Sequence, residues 1–262
     1  SSLIKKKIKN SLGLSRANST VSGSAPLPSS TIKWFKKLDI FITNGYGMTE
    51  NSAMTSQVDG KDFNKSDSVG KAHPEVNLKI DEKTGEILMR GPYLMDGYYK
   101  NVNLTKSVLK NGWLHTGDKG YIDDEGYLFI TGRIVDNFKT SKGKFIEPQI
   151  LENMFNDLSI LEQICVTGRG LSQPIALIQL SEIGKLKPRE EIMNTLNIRL
   201  KNINSDLENY KKISTIIIVK NDWTEQNKIL GPTLKIKRPY LDKKYIYHYE
   251  KWHSSDSKVI WE

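Results

Sequence analysis

A single cysteine, Cys165, stands in the 262 residues, so no disulfide forms within the chain. It lies in the apolar run "QICV", and the lack of cross-links fits a reducing cytoplasm, the setting expected here. No stretch of about 18 apolar residues occurs, which leaves no membrane-spanning helix to expect. Among the four histidines, His115 has no second histidine at metal spacing and reads as structural. Arginine clusters, zinc spacings and aromatics arrayed for base stacking are missing too. Nucleic-acid binding therefore gains no specific support. No signal-peptide pattern and no initiator methionine open the chain, which reads as one whose beginning has been removed.

What is present describes an ordinary globular protein, slightly lean in apolar residues: 37% hydrophobic and 26% charged. The length suits one large domain or two modest ones. The net charge of +9 comes mostly from scattered lysines. Such a surplus fits phosphate-rich ligands, an anionic membrane surface or nucleic acid, or simply a lysine-rich solvated exterior. In "SSLIKKKIKNSLGL", Ile4, Ile8 and Leu12 recur every fourth residue. This spacing predicts a short amphipathic helix, read as a scaffold helix with peripheral membrane contact as the other option.

The patterning then changes along the chain. "STVSGSAPLP" is a strand running into a loop, "STIKWFKKL" a helix, and "DIFITNGY" an apolar strand entering a glycine loop. Strand, helix and strand in that order predict part of an α/β parallel sheet, whose ligands gather at the strands' carboxyl ends. "NLKIDEKTGEILMRG" and "GWLHTGDKGYIDDEGYLFITGR" alternate around turn residues and predict antiparallel hairpins in a β-barrel-like subdomain. Farther on, "EPQILENMFNDL" places Ile150, Leu151, Met154, Phe155 and Leu158 on one helical face. A longer helix opening at Pro188 carries the stripe Ile192, Leu196, Leu200, Ile203, Leu207 and Tyr210. "TIIIV" is one more buried strand. The expected class is α/β plus α+β, with a boundary that divides the chain into 1–134 and 135–262.

Four patches carry chemistry. In "NGYGMTE", glycines flank Tyr46, Thr49 offers a hydroxyl to a phosphate oxygen, and Glu50 is a hard ligand suited to magnesium; read otherwise, the stretch is a strand-to-loop turn with a half-buried tyrosine. "HTGD" ends in Asp118, whose carboxylate can chelate two sugar hydroxyls or can simply form the turn before Gly120. Arg133 in "TGR" reaches the same ligand across the hairpin, or else pairs with a surface acid. Lys235 in "GPTLKIKR" is one of 39 basic residues, and composition alone does not single it out. A nucleotide needs such a set: an aromatic face, a carboxylate for ribose, cations for phosphate and an acid for magnesium.

The order of the patches is the informative part. "SGSAPLP", "NGYGMTE", "GWLHTGD", "GYLFITGR", "TSKGKFIEP" and "GPTLKIKR" resemble the ordered signature motifs of the adenylate-forming, AMP-binding superfamily, and within it long-chain fatty-acid–CoA ligases. The resemblance covers nearly the whole chain. It implies that Gly23, Ser24 and Ala25 line the adenine pocket together with Gly45, Tyr46, Gly47 and Met48. Tyr46 would stack on the base, Thr49 touch phosphate and Glu50 hold Mg2+. Asp118 would bind the ribose with Arg133 beside it. Lys235 would contact the α-phosphate and carboxylate oxygens during adenylation, and Gly143 would lie near the pantetheine path. The implied co-substrates are ATP, a fatty acid and coenzyme A, in a two-step ligase reaction of lipid metabolism. The implied gating is a domain rotation after Arg133.

Departures bound this reading. The family's glycine-, serine- and threonine-rich phosphate loop, ending in lysine, is absent from these residues, with most of the acyl pocket. The chain is thus expected to match only the carboxyl-terminal half of such an enzyme, to be inactive by itself, and to need the remaining half of the same enzyme. The hinge position is Val135 where relatives carry Asp or Lys, and Asp136 follows it, leaving the pivot between the two. Gly231 stands where relatives often carry Thr, a change expected to loosen the lysine loop. The alternatives are an amino-acid-activating adenylation domain, a fatty-acyl-AMP ligase loading a carrier protein, and a non-enzymatic basic binding module.

Overall fold

A computed structural model describes residues 2–25, 27, 29–58 and 63–262. The chain divides into two compact units, Ser1–Ile134 and Val135–Glu262. No helix among the described residues is long and apolar enough to cross a membrane.

The first unit begins with helix α1 (Ser2–Ser11), which buries none of its residues. Ile4, half of the expected apolar stripe's leading turn, remains exposed, and the helix is held by Lys5 and Lys9, which both reach Asp39. Strand β1 (Thr20–Ser22) leads to helix α2 (Ser29–Lys37) and back to strand β2 (Ile42–Tyr46), which pairs parallel with β1. This is the expected strand–helix–strand unit. Strands β3 (Ser56–Val58) and β4 (Lys71–Ala72) continue the sheet antiparallel in the order β1-β2-β3-β4.

A second sheet holds β5 (Asn77–Ile80), β6 (Glu86–Arg90), β7 (Leu109–Lys110), β8 (Trp113–Ile122) and β9 (Leu128–Arg133), all antiparallel, with helix α3 (Val102–Val108) before β7. The turns form where acid and glycine were placed for them. Asp81 Oδ1 accepts from the Lys83 and Thr84 amides, and Asp123 Oδ1 from the Glu125 and Tyr127 amides. Such side-chain bonds fix a turn before the strands pair. The pairing order leaves this sheet open among the described strands, so the barrel-like closure expected from the hairpins is not formed in the ladder. Its core of Ile87, Met89, Leu114 and Leu128 also takes in Tyr46 from the first sheet.

In the second unit, β10 (Phe138–Lys139) and β11 (Phe145–Ile146) make a small hairpin ahead of helix α4 (Pro148–Asn153). A mixed sheet follows in the order β12-β13-β14-β15, from β12 (Leu161–Thr167), β13 (Ile175–Leu180), β14 (Ile216–Ile218) and β15 (Val259–Trp261). Between β13 and β14 lie helices α5 (Glu182–Lys185) and α6 (Arg189–Ser205); α7 (Arg238–Tyr245) and α8 (Tyr249–His253) precede β15. Alternating residues separate two cores. Ile178, Ile216 and Ile218 pack with Ile192, Leu196 and Leu200 of α6. Leu177 and Ile217 pack with Leu241, Tyr245 and Trp252 of α7 and α8. A central sheet coated on both faces reads as continuous apolar strands, which is how "IALI" and "TIIIV" look.

Helix α4 is shorter than the twelve-residue pattern predicted. It closes at Asn153 with i−3 bonds from the Met154 and Phe155 amides, and Ile150 points outward while Leu151 and Phe155 are buried. Glu152 takes the inward position that a purely apolar face would have given to another residue, and it is buried.

Candidate nucleotide site

Strands β1 and β2 run side by side, so the loops leaving their carboxyl ends start together. A Cβ at Gly23 would lie 3.1 Å from the Gly45 carbonyl oxygen, so the "SGSA" and "NGYG" segments touch main chain to main chain. Ser24 takes a left-handed φ of 66°, turning the first loop away, and Gly23, Ser24 and Ala25 are exposed. Gly47 is required by contact. Its Cβ would sit 2.3 Å from the Ala53 carbonyl, because residues 48–53 fold straight back through Ala53 N–H to Met48 O. Asn51, fully buried, holds this return by accepting from the Met48 amide at 3.0 Å and donating to Thr55 Oγ1 at 2.5 Å. The result exposes Thr49 and half-exposes Glu50 at the crest of the turn.

Asp118 and Arg133 are paired in register across β8 and β9. Arg133 Nε donates to Asp118 Oδ1 at 3.2 Å, and the Tyr46 hydroxyl donates to Asp118 Oδ2 at 2.6 Å. Burial first, and the Asp118 charge second, hold the Tyr46 phenol well above its ordinary range, so it stays a donor. Each carboxylate oxygen has a second lone pair, so two acceptor positions remain for a pair of hydroxyls. The approach to Asp118 is shaped by Gly117, at φ 73°, whose amide donates to Glu86 Oε1 at 2.9 Å, and by Thr116 Oγ1, which accepts from the Asp118 amide.

Tyr46 does not present the open ring face expected of a base-stacking tyrosine. The residue is 9% exposed and packs with Ile87, Met89, Leu114 and Leu128. The cause is topological: β2 is an inner strand with β1 and β3 on its edges, and its period of two sends Asn44 and Tyr46 inward. What Tyr46 contributes in this structure is its hydroxyl.

Glu50 accepts from Tyr98 Oη at 2.6 Å, and its own carbonyl accepts from the Met95 amide. The bond to Glu50, with burial second, pushes Tyr98 up to about 12. No group of three potential metal ligands occurs among the described residues. A single carboxylate fits magnesium, which is commonly held by one or two carboxylates plus substrate phosphates rather than by a protein cage.

Gly143 and Lys235 belong to the second unit. Gly143, at φ 73°, tips the β10–β11 hairpin, where its amide donates to Thr140 O. Lys235 is exposed on a short loop closed by Gly231 N–H to Lys235 O at 2.8 Å, Lys237 N–H to Ile229 O at 2.7 Å and a Leu230–Ile236 bridge. These bonds keep the loop closed with glycine at 231. Val135 is exposed, whereas Asp136 is engaged by Arg238.

Spacing alone did not reveal Tyr98, in "DGYYK", or the pair Glu152 and Arg238. The available signal for Glu152 was an acid among the apolar positions of a predicted helix.

The AMP-binding enzyme family profile matches residues 3–99, and the profile of the AMP-binding enzyme C-terminal domain matches residues 136–245. The chain belongs to the AMP-binding enzymes. Among members of that family it is 28% identical over 260 residues to a long-chain-fatty-acid–CoA ligase of Mycobacterium bovis, covering 93% of this chain and 43% of the relative. It is 30% identical over 269 residues to a chloroplastic long-chain-fatty-acid–[acyl-carrier-protein] ligase of Arabidopsis thaliana, covering 93% and 36%. In fold it matches the AMP-binding enzyme O-succinylbenzoate–CoA synthetase of Bacillus subtilis, solved with ATP and magnesium, at a TM-score of 0.69 and 23% identity over 89% of this chain and 49% of that one. The chain spans less than half the length of each. The α/β plus α+β class expected from the sequence is the one these AMP-binding enzymes have.

Proposed function

We propose that this chain carries the ribose-binding face and the mobile lysine of an enzyme that activates a long-chain fatty acid with ATP and transfers the acyl group to coenzyme A. The reading rests on one observation above all: Tyr46, 72 residues upstream of Asp118, meets Asp118 and its hairpin neighbour Arg133 in a single hydrogen-bonded cluster. The two ligases acting on long-chain fatty acids support the acid; they differ in acceptor, one using coenzyme A and the other a carrier protein.

In the first step a carboxylate oxygen attacks the α-phosphorus of ATP, forming the acyl–phosphate bond and releasing pyrophosphate. In the second, a thiol attacks the acyl carbonyl and AMP leaves. Asp118 accepts from the ribose hydroxyls, and Arg133 steadies the carboxylate from the exposed side. Gly23, Ser24, Ala25, Gly45, Gly47 and Met48 border the base, while Tyr46 orients Asp118 through its hydroxyl. Thr49 donates to a phosphate oxygen. Glu50 is the residue that would hold magnesium, which when bound neutralises phosphate charge. Lys235 offsets the charge of two anions brought together, a transition-state electrostatic role. Gly143 borders the thiol's path. Units 1–134 and 135–262 act as the two bodies of the rotation between steps, pivoting at Val135.

Thermal unfolding of the chain with AMP and with a non-hydrolysable oleoyl-adenylate analogue tests this. Both should raise the midpoint, the analogue more, because a ligand that binds only the folded state stabilises it. Asp118→Ala should remove the rise. No shift with either ligand, beside steep salt-dependent binding to polyanions, would replace this reading with a basic binding module.

A further inference from the structure

The second unit contains a buried charge cluster with no place in the steps above. Arg238 is 16% exposed at its side chain, and Glu152, its partner, 7%. Nη2 sits between the two Glu152 oxygens at 2.7 and 2.8 Å. Nη1 donates to Val166 O at 2.9 Å and lies 3.2 Å from Cys165 Sγ, and Nε is 3.5 Å from Asp136 Oδ2. Glu152 also accepts from the Val166 amide at 2.7 Å. One guanidinium therefore joins the start of the unit, α4, β12 and the start of α7.

Stability alone is a weak reason for such a cluster. A buried ion pair repays its desolvation poorly, and apolar residues of similar volume often serve as well. What a planar group with five donors delivers is a single geometry. Its position says which geometry. Arg238 follows the Lys235 loop by three residues, and the intervening chain is tied down by the Lys237 amide on Ile229 O and the Leu241 amide on Lys237 O. Asp242, one turn along α7, adds a second attachment by accepting from Thr167 Oγ1 and Tyr249 Oη.

We propose that Arg238 is a positioning residue for Lys235: it anchors the foot of the lysine loop and ties it to Asp136, the residue after the pivot, so that a change at the junction is transmitted to the lysine. The lysine's role is that of the proposed function; the anchor itself is a property of the second unit.

Hydrogen exchange on the whole chain tests it without nucleotide, so its failure is distinct from a failure of AMP binding. In Arg238→Lys, which keeps the charge and loses the fork, amides of residues 229–237 should exchange about tenfold faster or more, with β13 and β14 unchanged, as a local opening requires. Asp136→Asn, at the partly exposed edge of the cluster, should quicken the same segment despite lying far away in sequence. It also keeps the test valid should Arg238 variants not fold. Unchanged exchange at 229–237 in Asp136→Asn and in folded Arg238→Lys overturns the proposal. So does equal loosening of the whole unit, which would make Arg238 a general strut. If the segment loosens as expected but AMP still fails to protect the chain, the anchor stands and the nucleotide reading falls.

Discussion

Asp118 has both carboxylate oxygens engaged before any ligand arrives: Oδ1 by Arg133 at 3.2 Å and Oδ2 by Tyr46 at 2.6 Å. The two partners differ in kind. Arg133 is 60% exposed at its side chain, while Tyr46 is buried. One bond is screened by water and the other is not.

From that difference, Arg133→Met should change the unfolding midpoint little, since an exposed ion pair contributes about 0–1 kcal/mol. It should nevertheless weaken AMP binding by about tenfold, the loss expected when a charged donor leaves a ligand's immediate partner. Calorimetric titration beside a denaturant curve separates the two. A large stability loss without a binding loss would make Arg133 a structural residue.

Tyr46→Phe should lose stability where Arg133→Met does not. Removing a buried donor to a charged acceptor costs about 1.5–3 kcal/mol of stability. A urea midpoint that does not move would mean that the hydroxyl holds nothing in place.

Gly47→Ala and Gly143→Ala make a second contrast. A Cβ at Gly47 enters the Ala53 main chain at 2.3 Å, and overpacking of that kind costs about 3 kcal/mol. At Gly143 nothing lies within 4 Å, and only the left-handed φ opposes a side chain, at about 1–2 kcal/mol. Equal losses in the two variants would refute this account of the turn at 47.

His253 provides a pH dependence. Its ring bonds Ser214 Oγ through Nδ1 at 2.8 Å and Ser172 Oγ through Nε2 at 2.9 Å, and burial, with Lys258 nearby, lowers its pKa below the ordinary 6.5. The unfolded chain then takes up a proton more readily than the folded one. Stability should fall as pH drops through about 6.5 and level off below the folded value. Melting scans of the native chain and of His253→Asn should show this slope only in the former. Equal slopes would place the proton elsewhere.

Local grammar was readable wherever local contacts decide it. "DEKTG" and "IDDEG" carry the acids that bond their own turns, and the α6 stripe of Ile192, Leu196, Leu200 and Ile203 is buried as spaced. In the candidate site, the sequence order brought Tyr46, Asp118 and Arg133 under suspicion, and they touch. Partner choice was not readable. Periodicity marks the inward face of β2 but not that a second sheet covers it, so a half-buried Tyr46 stood only as the alternative to a base-stacking one. Helix α1 had the right spacing, yet none of its residues is buried among the described residues. Glu152 and Arg238 lie 86 residues apart, and no local rule links an acid in one helix to an arginine at the start of another.

The placement of Cys165 has a practical consequence. With no exposed surface and a thiol pushed up to about 12 by burial, it is a poor nucleophile toward alkylating reagents near neutral pH. The native chain is therefore a silent background for thiol-directed probes. A cysteine introduced at the exposed Val135 or Leu234 would be the one position to take a spin label or fluorophore, and distances read between two such tags would follow the junction and the lysine loop in solution.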